Sequence, residues 1–145
     1  MEITNGFTVK KAPGIGIDSF IERILKYSNM EESTLTISLV YIDRLCENKK
    51  IDMSLNNIHR LLITSILLAI KFNEDDYYSN THYAKVGGIS MEELNNLEDE
   101  FIDGLDWNVW VDKELFDKYY SYLKHYQSIV QREGSPSPKK SVKDR

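Results

Sequence analysis

The chain has 145 residues, enough for one domain with a real core, since a chain of that length buries about two-thirds of its unfolded surface. Hydrophobic residues at 41%, charged residues at 28% and aromatics at 11% are ordinary globular values, which exclude wholesale disorder, collagen-like repetition and coiled-coil rods. A net charge of −5, from 18 Lys+Arg against 23 Asp+Glu, argues against nucleic acid as the partner, because affinity for a phosphate backbone rests on clustered cations; protein is favoured instead.

The single cysteine, Cys46, cannot close an internal disulfide, and the N-terminal residues carry no apolar run of signal-peptide length. The expectation is an intracellular protein, cytoplasmic and/or nuclear, with no membrane association.

No glycine or proline occurs between Gly16 and Gly87, so helix is the default through that stretch. Ser19-x-x-Glu22 reads as a capping box that starts a first helix, with Phe20, Ile21, Ile24 and Leu25 on one face. A second helix is predicted from Ser33 to Asn48, with Leu35, Leu39, Ile42 and Cys46 on its apolar side and Val40 and Leu45 widening it. The third, Leu55 to Phe72, is the most apolar: eight of the ten residues from Leu61 to Ile70 are apolar, leaving no face for solvent. Arg60 and Lys71 bound a run too short to span a bilayer, which predicts burial at the centre of a helical bundle.

The polar, aromatic segment from Phe72 to Gly88 has room for one short helix before the sharp turn at Gly87-Gly88. Ser90-x-x-Glu93 is a second capping box, Ile89 and Leu94 are spaced as a hydrophobic staple, and Leu94, Leu97, Phe101, Ile102 and Leu105 form a stripe opposite an acidic face. After the connector 106–110, Asp112 can cap a last helix bearing Leu115, Phe116, Tyr119, Tyr120 and Leu123. Residues 132–145 carry five basic and two acidic side chains, a net +3, so residues 1–131 carry −8 of the total −5. The division predicted is an N-terminal extension over 1–16, a helical body over 17–131 and a disordered basic tail over 132–145.

Chemistry of catalytic type is not spelled out. His59, His82 and His125 are widely separated, Cys46 has no CxxC partner, and no GxSxG, HExxH, P-loop or GxGxxG occurs, so no catalytic residue, metal or cofactor is expected. Glu74-Asp75-Asp76 lacks the alternating oxygen ligands of an EF-hand loop, and Cys46 reads as a small hydrophobe on the apolar side of its helix.

An apolar third helix inside five, with these particular residues, resembles a cyclin box. Leu39-Val-Tyr-Ile-Asp-Arg-Leu45 resembles the second-helix signature of cyclins, Leu68-Ala-Ile-Lys-Phe-Asn-Glu74 the end of the third helix, and Leu97-Glu98 with Phe101, Leu105 and Trp107 the fifth. Asn80-Thr-His-Tyr-Ala-Lys-Val-Gly-Gly88 is similar to the short-fourth-helix motif of the fungal phosphate-signalling cyclins and their P- and U-type relatives.

The resemblance implies an all-α protein, a single five-helix cyclin box around the third helix with one additional C-terminal helix. It implies a non-catalytic regulatory subunit that binds and activates a cyclin-dependent protein kinase by holding the kinase's C-helix in its active orientation, so that the kinase's own Lys–Glu pair and magnesium ligands assemble. Carried over residue by residue, the kinase-binding positions are Lys71 and Glu98 as a polar pair, with Phe72, Ile102 and Trp107 as apolar neighbours. For Phe72 and Trp107, core and interface remain equally open from sequence.

Two departures matter: Phe20-Ile-Glu-Arg-Ile-Leu25 lacks the Met-Arg-Ala-Ile-Leu string with which cell-cycle cyclins dock substrate peptides, and one helix, not a second box, follows residue 110. The alternative function is a cyclin-fold transcription-factor-like or adaptor protein without kinase activation, since one fold hosts all three. Ser137-Pro138-Lys139-Lys140 fits the proline-directed, basic pattern of phosphorylation by such kinases, which makes Ser137 a candidate modified residue.

Overall fold

A computed structural model describes residues 5–134, with side chains through 129. It contains six helices: α1 (Ile17–Ser28), α2 (Glu32–Lys49), α3 (Ile58–Asn73), α4 (Asn80–Gly87), α5 (Met91–Gly104) and α6 (Lys113–Gly134). No strand occurs among the described residues. The chain divides into two compact units, residues 1–110 and 111–145.

The first unit is the five-helix box. Every residue of α3 from Leu61 to Ile70 is buried, Thr64 and Ser65 included, and α1, α2, α4 and α5 all pack against it. The apolar run thus sits where its lack of a polar face requires. The Ser65 hydroxyl answers its own burial by donating to the Leu62 carbonyl at 3.0 Å.

Helix starts follow local chemistry at three sites. Ser90 Oγ accepts from the Glu93 N–H (3.0 Å), Ser79 caps α4 through the His82 N–H, and in the second unit Asp112 Oδ1 accepts from the Leu115 N–H (2.8 Å). Gly88, at φ +74°, closes α4 in the left-handed conformation that glycine adopts at little cost.

Two starts differ from expectation. α1 begins at Ile17 behind Gly16, not at Ser19, and Ser19 lies exposed in its first turn. α3 begins at Ile58 because Asn57 turns the preceding segment, its Oδ1 accepting from the Ser54 N–H (2.9 Å) and its Nδ2 donating to the Asp52 carbonyl (2.8 Å); Leu55 is left exposed.

The buried face of α2 matches the predicted one at Val40, Ile42 and Leu45 and departs from it elsewhere. Thr34, Ser38, Tyr41, Ile42 and Leu45 are buried, whereas Leu35, Leu39 and Cys46 are half-buried. Hydroxyl residues take core positions because their protons find acceptors: Ser38 Oγ donates to the Leu35 carbonyl and Thr34 Oγ1 to the Glu74 carboxylate. Glu74 Oε2 also accepts from the Glu31 N–H (3.1 Å), so an anion from the end of α3 sits at the start of α2, which has no side-chain cap of its own.

The segment before α1 is part of the box. Phe7 is 1% exposed and meets Phe101 edge-to-face at 5.7 Å, the Gly6 N–H donates to the Glu100 carboxylate, and Val9 and Asn56 exchange two hydrogen bonds. α6 carries Leu115, Phe116, Tyr119, Tyr120 and Leu123 half-buried along one side, with Phe116 and Tyr120 stacked at 5.8 Å.

Candidate functional site

The Lys71 ammonium emerges in the last turn of α3, its backbone anchored by the buried run before it, where a cation also suits the negative end of the helix dipole. Its Nζ donates to Glu98 Oε2 at 2.8 Å, and the pair is partly exposed, 27% for the lysine side chain and 18% for the glutamate. Glu98 stands in the middle of α5, one residue past the buried Leu97, so it borders the core. Its other oxygen, Oε1, accepts from Asn80 Nδ2 at 3.0 Å, and Asn80 also donates to Asn95 Oδ1 at 2.6 Å. One carboxylate therefore joins α3, α4 and α5.

This network holds a charged pair at a surface with its geometry already set. Lysine keeps further N–H donors and the carboxylate further lone pairs, so the pair can grip both a carbonyl and an N–H of a partner backbone.

Phe72, next to the lysine, is 46% exposed. Trp107 is 65% exposed and is tied to α5 through its N–H, which donates to the Ile102 carbonyl at 3.1 Å. Ile102 is only 5% exposed, so its side chain belongs to the core and supports the surface from beneath.

The connector carrying Trp107 is held open against its own preference. Asp106 and Trp107 both adopt left-handed backbone, φ 54° and 58°, which L-residues with side chains disfavour. Side chains of α2 fix the rest of the connector: Arg44 Nη1 donates to the carbonyls of Asn108 (2.7 Å) and Trp110 (3.0 Å), and the Tyr41 hydroxyl donates to that of Val109 (2.9 Å). Burial pushes the Tyr41 hydroxyl above its ordinary range, against opposing effects of Asn73 and Arg44, so it remains a donor. Sequence reasoning places Asp43 and Arg44 in a helix signature without revealing this clamp, and it includes Asn80 in a motif without assigning it a bond.

His82 is structural in character, its ring nitrogen Nε2 donating to the Tyr27 carbonyl (2.7 Å) and its ring lying 4.2 Å from that of Tyr78. Among the described residues no cluster of three or more His, Cys, Asp or Glu side chains is arranged to hold a metal, and no helix is long and apolar enough to cross a membrane. Ser137 lies outside the described residues.

Four helices packed around a buried fifth, with a polar pair bridging the third and fifth in chain order, make up a cyclin box fold. Residues 1–109 match the family model described as Cyclin, and the chain belongs to the cyclin family. It is similar to Cyclin-U4-1 of Arabidopsis thaliana, 43% identical over 120 residues that cover 82% of this chain and 59% of that protein. Cyclin-U2-1 of the same plant is 41% identical over 127 residues, covering 87% and 57%, and Cyclin-P3-1 of Oryza sativa subsp. japonica is 40% identical over 120 residues, covering 83% and 51%. The chain spans less than two-thirds of the length of these relatives.

Proposed function

We propose that the chain is the regulatory subunit of a cyclin-dependent protein kinase, binding the catalytic subunit and activating it by ordering its C-helix, with no phosphotransfer chemistry of its own. The observation that carries this reading is the Lys71–Glu98 pair, braced by Asn80 and bordered by the exposed Phe72. Membership in the cyclin family supports it. Trp107, presented by the Arg44 clamp, supplies an aromatic anchor of the kind that dominates interface energetics, and Ile102 fixes its backbone from the core. The resemblance of residues 80–88 to the fungal phosphate-signalling cyclins supports phosphate signalling as the pathway.

The test is calorimetric titration of the chain into each cyclin-dependent kinase of its source organism, followed by peptide phosphorylation assays. Binding with a rise in kinase activity is expected for at least one kinase. Binding without activation marks an adaptor, and no binding to any of them overturns the proposal. In an active complex, Ser137 is phosphorylated by the bound kinase because it is carried on the same chain at high effective concentration. An unmodified Ser137 by mass spectrometry, alongside efficient phosphorylation of added peptide, overturns that part.

A further inference from the structure

A cavity of about 170 Å³ lies between the end of α1 and the connection from α3 to α4, lined by Ser28, Asn29, Asp76, Tyr77 and Tyr78. It is smaller than the roughly 300–1,000 Å³ of pockets that enclose whole small molecules, and so has room for the end of one side chain. Asp76 is exposed, and Tyr77 and Tyr78 are 52% and 47% exposed, so a ligand reaches all three from solvent.

The walls are set in advance. The Tyr78 N–H donates to the hydroxyl of the buried Tyr83 at 3.2 Å, and the Tyr78 ring centroid lies 4.2 Å from that of His82. His82 in turn donates to the Tyr27 carbonyl at 2.7 Å, which ties α4 to the last turn of α1. Asn29, in left-handed backbone at φ 51°, stops α1 at this wall. Occupying such a cavity costs little ordering of its lining.

Each part of the lining favours positive charge. Asp76 brings a carboxylate that forms no ion pair among the described residues. The tyrosines bring two aromatic rings, whose faces attract cations. Ser28 and Asn29 bring the C-terminus of α1, the negative end of its dipole. None of the five residues is basic, and the basic residue in the last turn of α1, Lys26, lies instead over the Tyr27 ring, 5.3 Å from the centroid. A guanidinium answers this set better than an ammonium, because it is planar, stacks on aromatic rings and forks onto a carboxylate.

We infer that this cavity is a docking site for an arginine side chain carried by a basic peptide segment of a partner protein. The cavity takes only the end of the side chain, so the rest of the ligand stays outside, where Glu74 and Asp75 precede Asp76 in the same loop and residues 1–131 carry −8. That field repels the α-carboxylate of free arginine and attracts the flanking basic residues of a peptide. The inference rests on residues 28–29 and 76–78 of this chain and holds with or without the proposed kinase.

The test is NMR titration of the full chain with the blocked tripeptide acetyl-Gly-Arg-Gly-amide, with the same peptide carrying citrulline or lysine in place of arginine, and with free arginine, all at equal ionic strength. Saturable amide shifts centred on residues 28–29 and 76–78 are expected with the arginine peptide. Citrulline, which keeps the shape and loses the charge, is expected to bind about tenfold more weakly, and lysine about threefold. Free arginine is expected to bind more weakly than the blocked peptide. Asp76→Asn, a nearly isosteric change at an exposed position, is expected to keep the native melting curve and to weaken the arginine peptide about fivefold or more. Tyr77→Leu is expected to weaken it about threefold. Asp99→Asn, which makes the same charge change at an exposed position of α5, leaves binding unchanged. No saturable shift, equal binding of the citrulline or lysine peptide or of free arginine, or unchanged affinity in Asp76→Asn overturns the inference.

Discussion

Lys71 and Glu98 meet at 2.8 Å across α3 and α5, and the glutamate's second oxygen is held by Asn80, so this ion pair is oriented before any partner arrives. Preorganised polar groups lose little freedom on binding, which is what makes such a pair effective at an interface. Lys71→Ala or Glu98→Ala is expected to weaken kinase binding by about 2–5 kcal/mol, roughly 30-fold to several-thousand-fold, by leaving a charge unpaired in the complex. The chain alone is expected to lose no more than about 1 kcal/mol of stability, because a partly exposed pair contributes little to folding. Calorimetric affinity and melting temperature, with Glu92→Ala on the acidic face as control, separate the two effects. A large loss of melting temperature in both variants would show that the pair serves the fold.

Trp107 is expected to show opposite signs for stability and binding. Replacing it with glycine removes the Cβ that makes φ 58° unfavourable, at a position where little of the indole is buried, and raises stability by about 0.5–1 kcal/mol. The same change removes the proposed anchor and weakens kinase binding. Arg44→Ala lowers both, since it releases two carbonyls from a charged donor, worth about 1.5–3 kcal/mol. Urea denaturation and calorimetry on the three proteins check the pattern; a stability loss in Trp107→Gly contradicts the strain argument.

At Gly104 the backbone of α5 lies tight against side chains of α2. A Cβ there would lie 2.3 Å from Leu45 Cδ1, and the Gly104 carbonyl accepts from Asn48 Nδ2 at 3.0 Å, which discourages the helix from sliding away. Gly104→Ala is therefore expected to destabilise by about 1–2 kcal/mol, at the low end for overpacking, because Leu45 borders a cavity of about 270 Å³ into which its end can shift. In a Leu45→Ala background the same substitution should cost less, and a thermal double-mutant cycle reads the coupling.

Cys46 is half-buried, and its thiol is raised above the ordinary range first by burial and then by the negative charges of Asp43 and Asp52. A raised value means less thiolate at neutral pH, and thiolate is the reacting form. Alkylation by iodoacetamide at pH 7.5 is expected to be slower than that of reduced glutathione, and its rate should still be climbing at a pH where glutathione has levelled off. Asp52→Asn is expected to shift the midpoint downward. A midpoint matching that of glutathione would leave steric shielding alone as the cause of slow reaction.

The buried centre of the fold is legible because an uninterrupted apolar run has only one place to go: Leu61 to Ile70 lacks any face for water, and α3 is wholly buried across it. Ser90 and Asp112 are legible as caps because each bonds to an N–H three residues on, a relation contained within four letters.

The Lys71–Glu98 meeting comes from the family resemblance, not from spacing, since the two residues are 27 positions apart. Counting apolar residues finds Val40, Ile42 and Leu45 on the inward face of α2 but misses Thr34, because it cannot tell that Thr34 finds its acceptor on Glu74, 40 positions later, and so is as buried as a leucine. A capping motif favours Ser19 over Gly16 as a helix start for the same reason, a local pattern standing in for a position that the packed chain decides. Phe7 entering the core, Glu93 turning to Arg60, and Arg44 holding the connector that presents Trp107 all depend on partners 33 to 94 positions away. Periodicity and capping motifs report interactions within a turn or two of helix, whereas the cost of burying a polar group is set by whatever the rest of the fold brings beside it, and only the tertiary structure decides that.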